Sequence, residues 1–269
     1  MRSRYLYRIS RYLGLLLKSA SERIINYSNN KLDQFECFTT PDAIAINKAR
    51  LEHLASCELD PRGKSVLEVG GGIGLLTKFF EDLGCSILTT DSRRENLAQI
   101  TKRWPHRKLQ VLDLDQTSDL SYLGSFDVIF CYGVLYHLSQ PEQVLACLSS
   151  ICREMILLET IVTFEDGVKI NFVKEPNYPN QAISGIGCRP TRRWVIEMLR
   201  KYWGYAYITK TQPRHKDFDL CWVSPISRKK SHRAVFVGAK IPLQNRFLCE
   251  EIPDYQTYWS KSEEENALR

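Results

Sequence analysis

A doubly wound α/β fold is what this 269-residue sequence predicts, and three observations predict it. Short apolar runs recur between residues 65 and 159 with helical segments between them. The first run feeds straight into glycines at 70, 71, 72 and 74. Carboxylates, Asp91 and Asp113, close the next two runs. Alternation of this kind marks βαβ units, whose right-handed crossovers bring the carboxyl ends of the strands to one crevice.

Residues 4 to 25 read as a basic amphipathic helix. Tyr5, Ile9, Tyr12, Leu13, Leu16 and Ile24 recur at helical spacing, while Arg4, Arg8, Arg11 and Lys18 fall on another side. The helix is expected to pack on its own domain; peripheral contact of residues 1–25 with an anionic membrane is the less favoured reading. Its longest uncharged apolar stretch, Tyr12 to Leu17, falls far short of the ~20 residues that span a bilayer. Thr40-Pro41 should cap a second helix that ends near Cys57.

Strands are predicted at Ser65–Val69, Ile87–Thr90, Leu109–Leu112, Asp127–Cys131 and Met155–Glu159, with helices near 74–83, 92–103 and 141–152. Residues 162 to 189 carry Gly, Asn and Pro without periodicity and read as a lid over the crevice. A helix capped by Thr191 should reach Tyr202. Tyr205–Thr209 and Ala234–Gly238 then form an edge hairpin, giving about seven strands in all. The acidic tail after Pro253 is expected to be mobile, with Tyr255, Tyr258 and Trp259 as its docking points. These elements suggest an N-terminal helical region 1–60, a main α/β domain 61–240 with a lid or ligand-facing region at about 162–193, and a polar tail 241–269.

Nine cysteines, an odd number with no C-x-x-C pair, suit a reducing cytoplasm and argue against a zinc site; no cluster suggests another metal. The net charge of +6 is concentrated, because residues 189 to 233 hold twelve basic and three acidic side chains. Such a zone suits an anionic partner, and a solvated basic face explains it equally well.

The segment VLEVGGGIGLLT, residues 66 to 77, brings a backbone very close to something at the end of a buried strand. A dinucleotide fingerprint fails in every register: counted from Gly70 its third small residue would be Leu75, and from Gly72 it would be Thr77. Glu68 at the strand end would also repel a pyrophosphate. A ligand with a cationic end fits better, which demotes a nicotinamide-dependent oxidoreductase.

With Glu68, Gly70, Gly72 and Gly74 in this arrangement, the segment resembles the first motif of class I S-adenosylmethionine-dependent methyltransferases, which have a Rossmann-like sheet. The resemblance covers roughly residues 60 to 161. It implies S-adenosylmethionine as cofactor, with Glu68 and the glycines bordering its methionine part and Asp91 accepting from the ribose hydroxyls. Asp113 and Leu114 would hold the adenine, and Cys131 on the fourth strand would join the cofactor site. The GVLYHL run (133–138) and LLET (157–160) look like the branch that contains tRNA wobble-uridine carboxymethyltransferases, although the upstream region here is shorter.

Tyr136 and His137 follow the fourth strand and would face the acceptor, with His137 suited to act as a base near neutral pH. Glu159 at the end of the fifth strand would orient an acceptor hydroxyl or amine. Arg189, Arg192 and Arg193 surround a helix start, where guanidinium groups and the helix dipole favour an anion. Similar R-P-[ST]-R segments occur in bacterial methyltransferases of glycan and secondary-metabolite pathways. The reading is therefore a cytoplasmic methyltransferase acting on an O, or an N, of a small-molecule or sugar acceptor, an anionic one if the arginines bind it. A tRNA-modifying enzyme and a non-catalytic RNA-binding protein on the same fold are the alternatives.

Overall fold

The computed structural model describes residues 35–223 and 232–260. The basic helix expected at 4–25 lies outside the described residues. Helix α1 (Pro41–Ser56) starts as its sequence predicts, with the Thr40 hydroxyl accepting the Ala43 N–H at 3.1 Å and proline in the first turn. Strands β1 (Ser65–Glu68), β2 (Ser86–Asp91), β3 (Lys108–Val111), β4 (Phe126–Tyr132) and β5 (Cys152–Val162) run parallel in the order β3-β2-β1-β4-β5. Strand order reverses at β1, so the crevice opens beyond the carboxyl ends of β1 and β4.

Helices α2 (Lys78–Glu81), α3 (Arg94–Arg103) and α4 (Pro141–Ser150) connect these strands. The helix expected over 74–83 shrinks to four residues, because Gly70, Gly72 and Gly74 all take positive φ and hold the preceding chain in turns. On the central strands successive side chains enter opposite cores. Val128, Phe130, Leu157 and Val235 pack toward Leu51, Leu54, Phe79 and Phe80 of α1 and α2. Ile129, Ile156, Leu158 and Phe236 pack on the other face with Leu145 and Leu148 of α4.

The expected lid has structure of its own. β6 (Ile170–Lys174) and β7 (Ile186–Pro190) pair antiparallel outside the main sheet, and loop 175–185 between them folds back over the crevice. Helix α5 (Arg192–Trp203) follows, with the Thr191 hydroxyl accepting the Trp194 N–H. β8 (Tyr205–Thr209) leads to the short β9 (Thr211–Gln212), and β10 (His232–Ala239) inserts antiparallel between β5 and β8. The two late strands are therefore adjacent as expected, but they are not the edge. β11 (Leu248–Cys249) adds to β8 and makes the sheet eight-stranded.

The segment after Pro253 is docked, in contrast to the mobility expected of it, as far as it is described. β12 (Thr257–Tyr258) pairs with β9. The buried Gln256 amide donates to Thr209 O at 2.6 Å and accepts from Trp222 and Gln212. One amide that satisfies three partners in the interior anchors the segment more firmly than its acidic composition suggests. No described helix is long and apolar enough to cross a membrane.

Candidate active site

A cavity of about 400 Å³ opens at the carboxyl ends of β1, β2, β3 and β4. Its floor is the glycine loop. Gly70 has φ +62° and Gly72 φ +54°; a Cβ on Gly70 would overlap Val134 Cγ2, and one on Gly72 would sit 2.9 Å from the Phe38 ring. Both positions therefore exclude a side chain twice over, by dihedral and by space. Gly74 is constrained from another side, by Ile100 and Arg107, and does not line the cavity.

Asp91 lines the cavity while 7% exposed. Its Oδ2 accepts the Gly72 N–H at 2.8 Å, and its Oδ1 accepts from Arg93 N and Asn96 Nδ2. Burial raises its pKa against those bonds. A carboxylate has about four acceptor sites, so three donors leave one for a ligand. Asp113 and Leu114 line the next wall, Asp113 also capping the short turn Leu114–Gln116. Asp115, which the sequence reading passed over, accepts from Ser139 N and Gln140 N and ties this wall to the loop after β4.

Besides Gly74, two more of the expected cofactor residues lie outside the lining. Glu68 is 2% exposed and outside the cavity lining, with Oε2 accepting from the Thr77 and Thr89 hydroxyls at 2.6 and 2.7 Å. Burial pushes its carboxyl up to about 7. Cys131 is fully buried in the core, its thiol pushed up to about 12 by burial, and Tyr132 and Gly133 reach the cavity in its place. The pleat accounts for this, because alternate residues of β4 point to opposite faces.

Tyr136 and His137 lie on the short turn Leu135–His137 and both line the cavity. His137 Nδ1 is 2.5 Å from Glu175 Oε2, and Arg189 holds Glu175 Oε1 at 3.1 Å. Burial lowers the His137 pKa from its ordinary 6.5, and Glu175 opposes the shift without reversing it.

Glu159 does not reach the cavity. It is fully buried, 2.6 Å from Arg50 Nη2 and 3.0 Å from Arg233 Nη1, and those two arginines line the cavity in its stead. Burial pushes its carboxyl up, but the two guanidinium groups outweigh that and hold it below the ordinary value. Arg233 Nη2 also donates to the Tyr136 hydroxyl at 3.1 Å.

The three arginines expected to bind the acceptor do not converge. Arg189 donates to Tyr136 O and Glu175, Arg192 donates to Pro253 O while lying over the Trp222 ring, and Arg193 is exposed. None lines the cavity. Arg50, Arg93, Arg233 and Asp217 line it in their place, with Glu175 buried behind His137. These residues are far apart in sequence and sit in no motif, so only the folded chain brings them together.

A family model described as "Methyltransferase domain" matches residues 67–154. The chain carries a class I methyltransferase domain. An O-methyltransferase of ubiquinone biosynthesis from Xanthomonas axonopodis pv. citri is 30% identical over 112 residues, covering 40% of this chain and 46% of that protein. The counterpart from Xanthomonas oryzae pv. oryzae is 32% identical over 107 residues, 38% of this chain and 44% of that protein. The chain thus spans about half the length of the curated relatives it matches.

Among solved structures, the N-terminal domain of EvdMO1, in the presence of SAH and D-fucose, superposes with a TM-score of 0.57 at 20% identity, over 72% of this chain and 82% of that one. An S-adenosylmethionine-dependent methyltransferase from Mesorhizobium loti gives 0.53 at 14% identity, over 71% and 97%. At those identities the likeness lies in the fold. It shows the Rossmann-like methyltransferase architecture for the eight-stranded sheet and its flanking helices.

Proposed function

We propose that the chain transfers the methyl group of S-adenosylmethionine to a hydroxyl of a small, neutral, hydroxyl-rich acceptor of the sugar class. The cofactor suits the crevice: the glycine loop lines it with backbone at positive φ that leaves no room for side chains, Asp91 has one acceptor site left for the ribose, and Asp113 and Leu114 flank the place for the adenine. When bound, S-adenosylmethionine supplies an electrophilic methyl group.

The observation that carries the acceptor class is the wall facing the glycine loop. Arg50 and Arg233 are set against Glu159 and Asp217, with Arg233 Nε 3.8 Å from Asp217 Oδ2, so the charges of these four groups cancel. Asn47 and Tyr136 add neutral polar groups beside them. Such a wall offers donors and acceptors without net charge. It suits a ligand with several hydroxyls better than an apolar ring, which would strip water from these groups and return no hydrogen bond, or a polyanion.

His137 carries the proton chemistry. Its Nδ1 is engaged by Glu175, which leaves Nε2 to take the acceptor hydroxyl proton, and burial keeps the ring neutral at pH 7. Alignment in the cavity supplies the rest.

The test is transfer of labelled methyl from S-adenosylmethionine to a panel of free and nucleotide-linked sugars, catechol-type rings and tRNA. Turnover on a sugar hydroxyl is expected. Turnover confined to rings or tRNA refutes the acceptor class, and binding of NAD in place of S-adenosylhomocysteine refutes the whole reading.

A further inference from the structure

We infer that Glu175 is the positioning residue for His137: it fixes the imidazole with its proton on Nδ1 and Nε2 free for the acceptor, and it does so from a strap anchored on the Asp91 side of the cavity. The inference rests on the reading of His137 as the base.

Glu175 cannot be a substrate contact. Its side chain is 3% exposed, and both oxygens are occupied. Oε2 meets His137 Nδ1 at 2.5 Å and accepts the Ala182 N–H at 3.0 Å; Oε1 accepts from Arg189 Nη2 at 3.1 Å. A carboxylate held on its far side by an always-protonated guanidinium, and with no proton of its own, can face Nδ1 only as an acceptor. That selects the tautomer protonated on Nδ1, as the carboxylate does wherever a histidine base is held by an acid. Space for the contact comes from Gly187 on β7, where a Cβ would overlap Glu175 Oε1 and sit 2.5 Å from Tyr136 O.

Loop 175–185 is the strap. Glu175 N donates to Gly185 O at 2.9 Å and closes its base. At its other end Asn96 Nδ2 donates both to Pro179 O at 3.2 Å and to Asp91 Oδ1 at 3.0 Å, while Arg93 Nη2 reaches Asn177 Oδ1 and Gln181 O. One amide thus joins the carboxylate proposed for the ribose to the strap that carries Glu175. Whatever orders Asp91 and Asn96 also orders the base.

The charged groups facing His137 are Glu175 on the strap, Arg189 on β7 and Arg233 on β10. Burial and the two guanidinium groups lower its pKa, and Glu175 alone raises it. Neutralising Glu175 therefore moves the acid limb of the kcat/KM profile to lower pH, even as the orientation is lost.

Glu175→Gln, checked for wild-type melting behaviour, is expected to lower kcat by about 10²-fold, shift that limb to lower pH and leave S-adenosylhomocysteine affinity near wild type. Nitrogen-15 spectra of labelled histidine in the wild type should show Nδ1 protonated and Nε2 bare, and the variant should show a mixture of tautomers. A variant whose tautomer and pH limb match wild type refutes the positioning role, even if it is slow, because a merely structural tether would move neither. His137→Ala separates this from the parent reading: if it turns over normally with the acid limb intact, both fall. If it is inactive while Glu175→Gln is unchanged, only the role of Glu175 falls.

Discussion

Glu159→Gln separates a structural acid from a catalytic one. The wild-type carboxylate is fully buried and bridges Arg50 at 2.6 Å and Arg233 at 3.0 Å. Glutamine keeps the volume but removes the charge, and its amide must turn an N–H₂ toward one of the two guanidinium groups. Asp217, 3.8 Å from Arg233, is then the nearest remaining carboxylate of the cluster. Breaking a buried pair in this way costs about 3–5 kcal/mol, which for a chain this size is a fall in Tm on the order of 10 °C.

Urea unfolding followed by tryptophan fluorescence at pH 7 measures the loss. The pH dependence supplies a second check. The folded pKa of Glu159 lies below its ordinary 4.5, so its stabilisation is present above that value and is lost as pH falls through the folded pKa. The gap between wild type and variant should therefore be full at pH 7 and narrow on the acid side. A stability loss under about 1 kcal/mol with a large fall in kcat would refute the structural role and restore Glu159 to the chemistry.

The glycine loop and the strand-end acid give two further expectations. Gly70→Ala should cut S-adenosylhomocysteine affinity at least about tenfold by calorimetry, since φ is +62° and the methyl would overlap Val134. Gly84→Ala is the control, sharing the positive φ (+71°) with open space around it; equal binding by both would remove the loop from the cofactor site. Glu68→Gln should leave S-adenosylhomocysteine affinity unchanged while gaining stability relative to wild type above pH 7. The folded pKa, raised to about 7 by burial, makes the wild type lose stability as pH rises from 4.5 through that value, a loss glutamine avoids. A tenfold fall in affinity would instead return Glu68 to the cofactor.

What was legible in the sequence is what local pattern dictates. The first five strands fall within a few residues of their expected places because each is a short apolar run with turn residues on both sides, and Gly70, Gly72, Asp91, Asp113 and Leu114 reach the cavity because a parallel sheet sends every strand end there. Cys131 and Glu68 were misplaced by one step of the pleat or by two threonine hydroxyls that no spacing rule announces. The hairpin β6–β7 was missed because Ile170–Lys174 is largely exposed and shows no buried face to betray its period. The arginines were read from their density around a helix start, whereas those that line the cavity come singly, Arg50 on α1, Arg93 just before α3 and Arg233 on β10, the first and last joined through Glu159.

The matched methyltransferase segment ends at residue 154, and that boundary divides the cavity by origin. Inside it lie the glycine loop, Asp91, Asp113 and the turn bearing His137, the parts assigned above by proposal to the cofactor and to the transfer. Outside it lie Arg50, Asn47, Asp217 and Arg233 on the lining, with Glu159 and Glu175 buried behind it, the residues of the proposed polar wall and of the proposed hold on His137. A match to the first set gives no reason to expect the second. The acceptors of the ubiquinone enzymes therefore do not carry over on the strength of the match, and substitutions at Arg50 or Arg233 should change which acceptor is methylated well before they change which cofactor is bound.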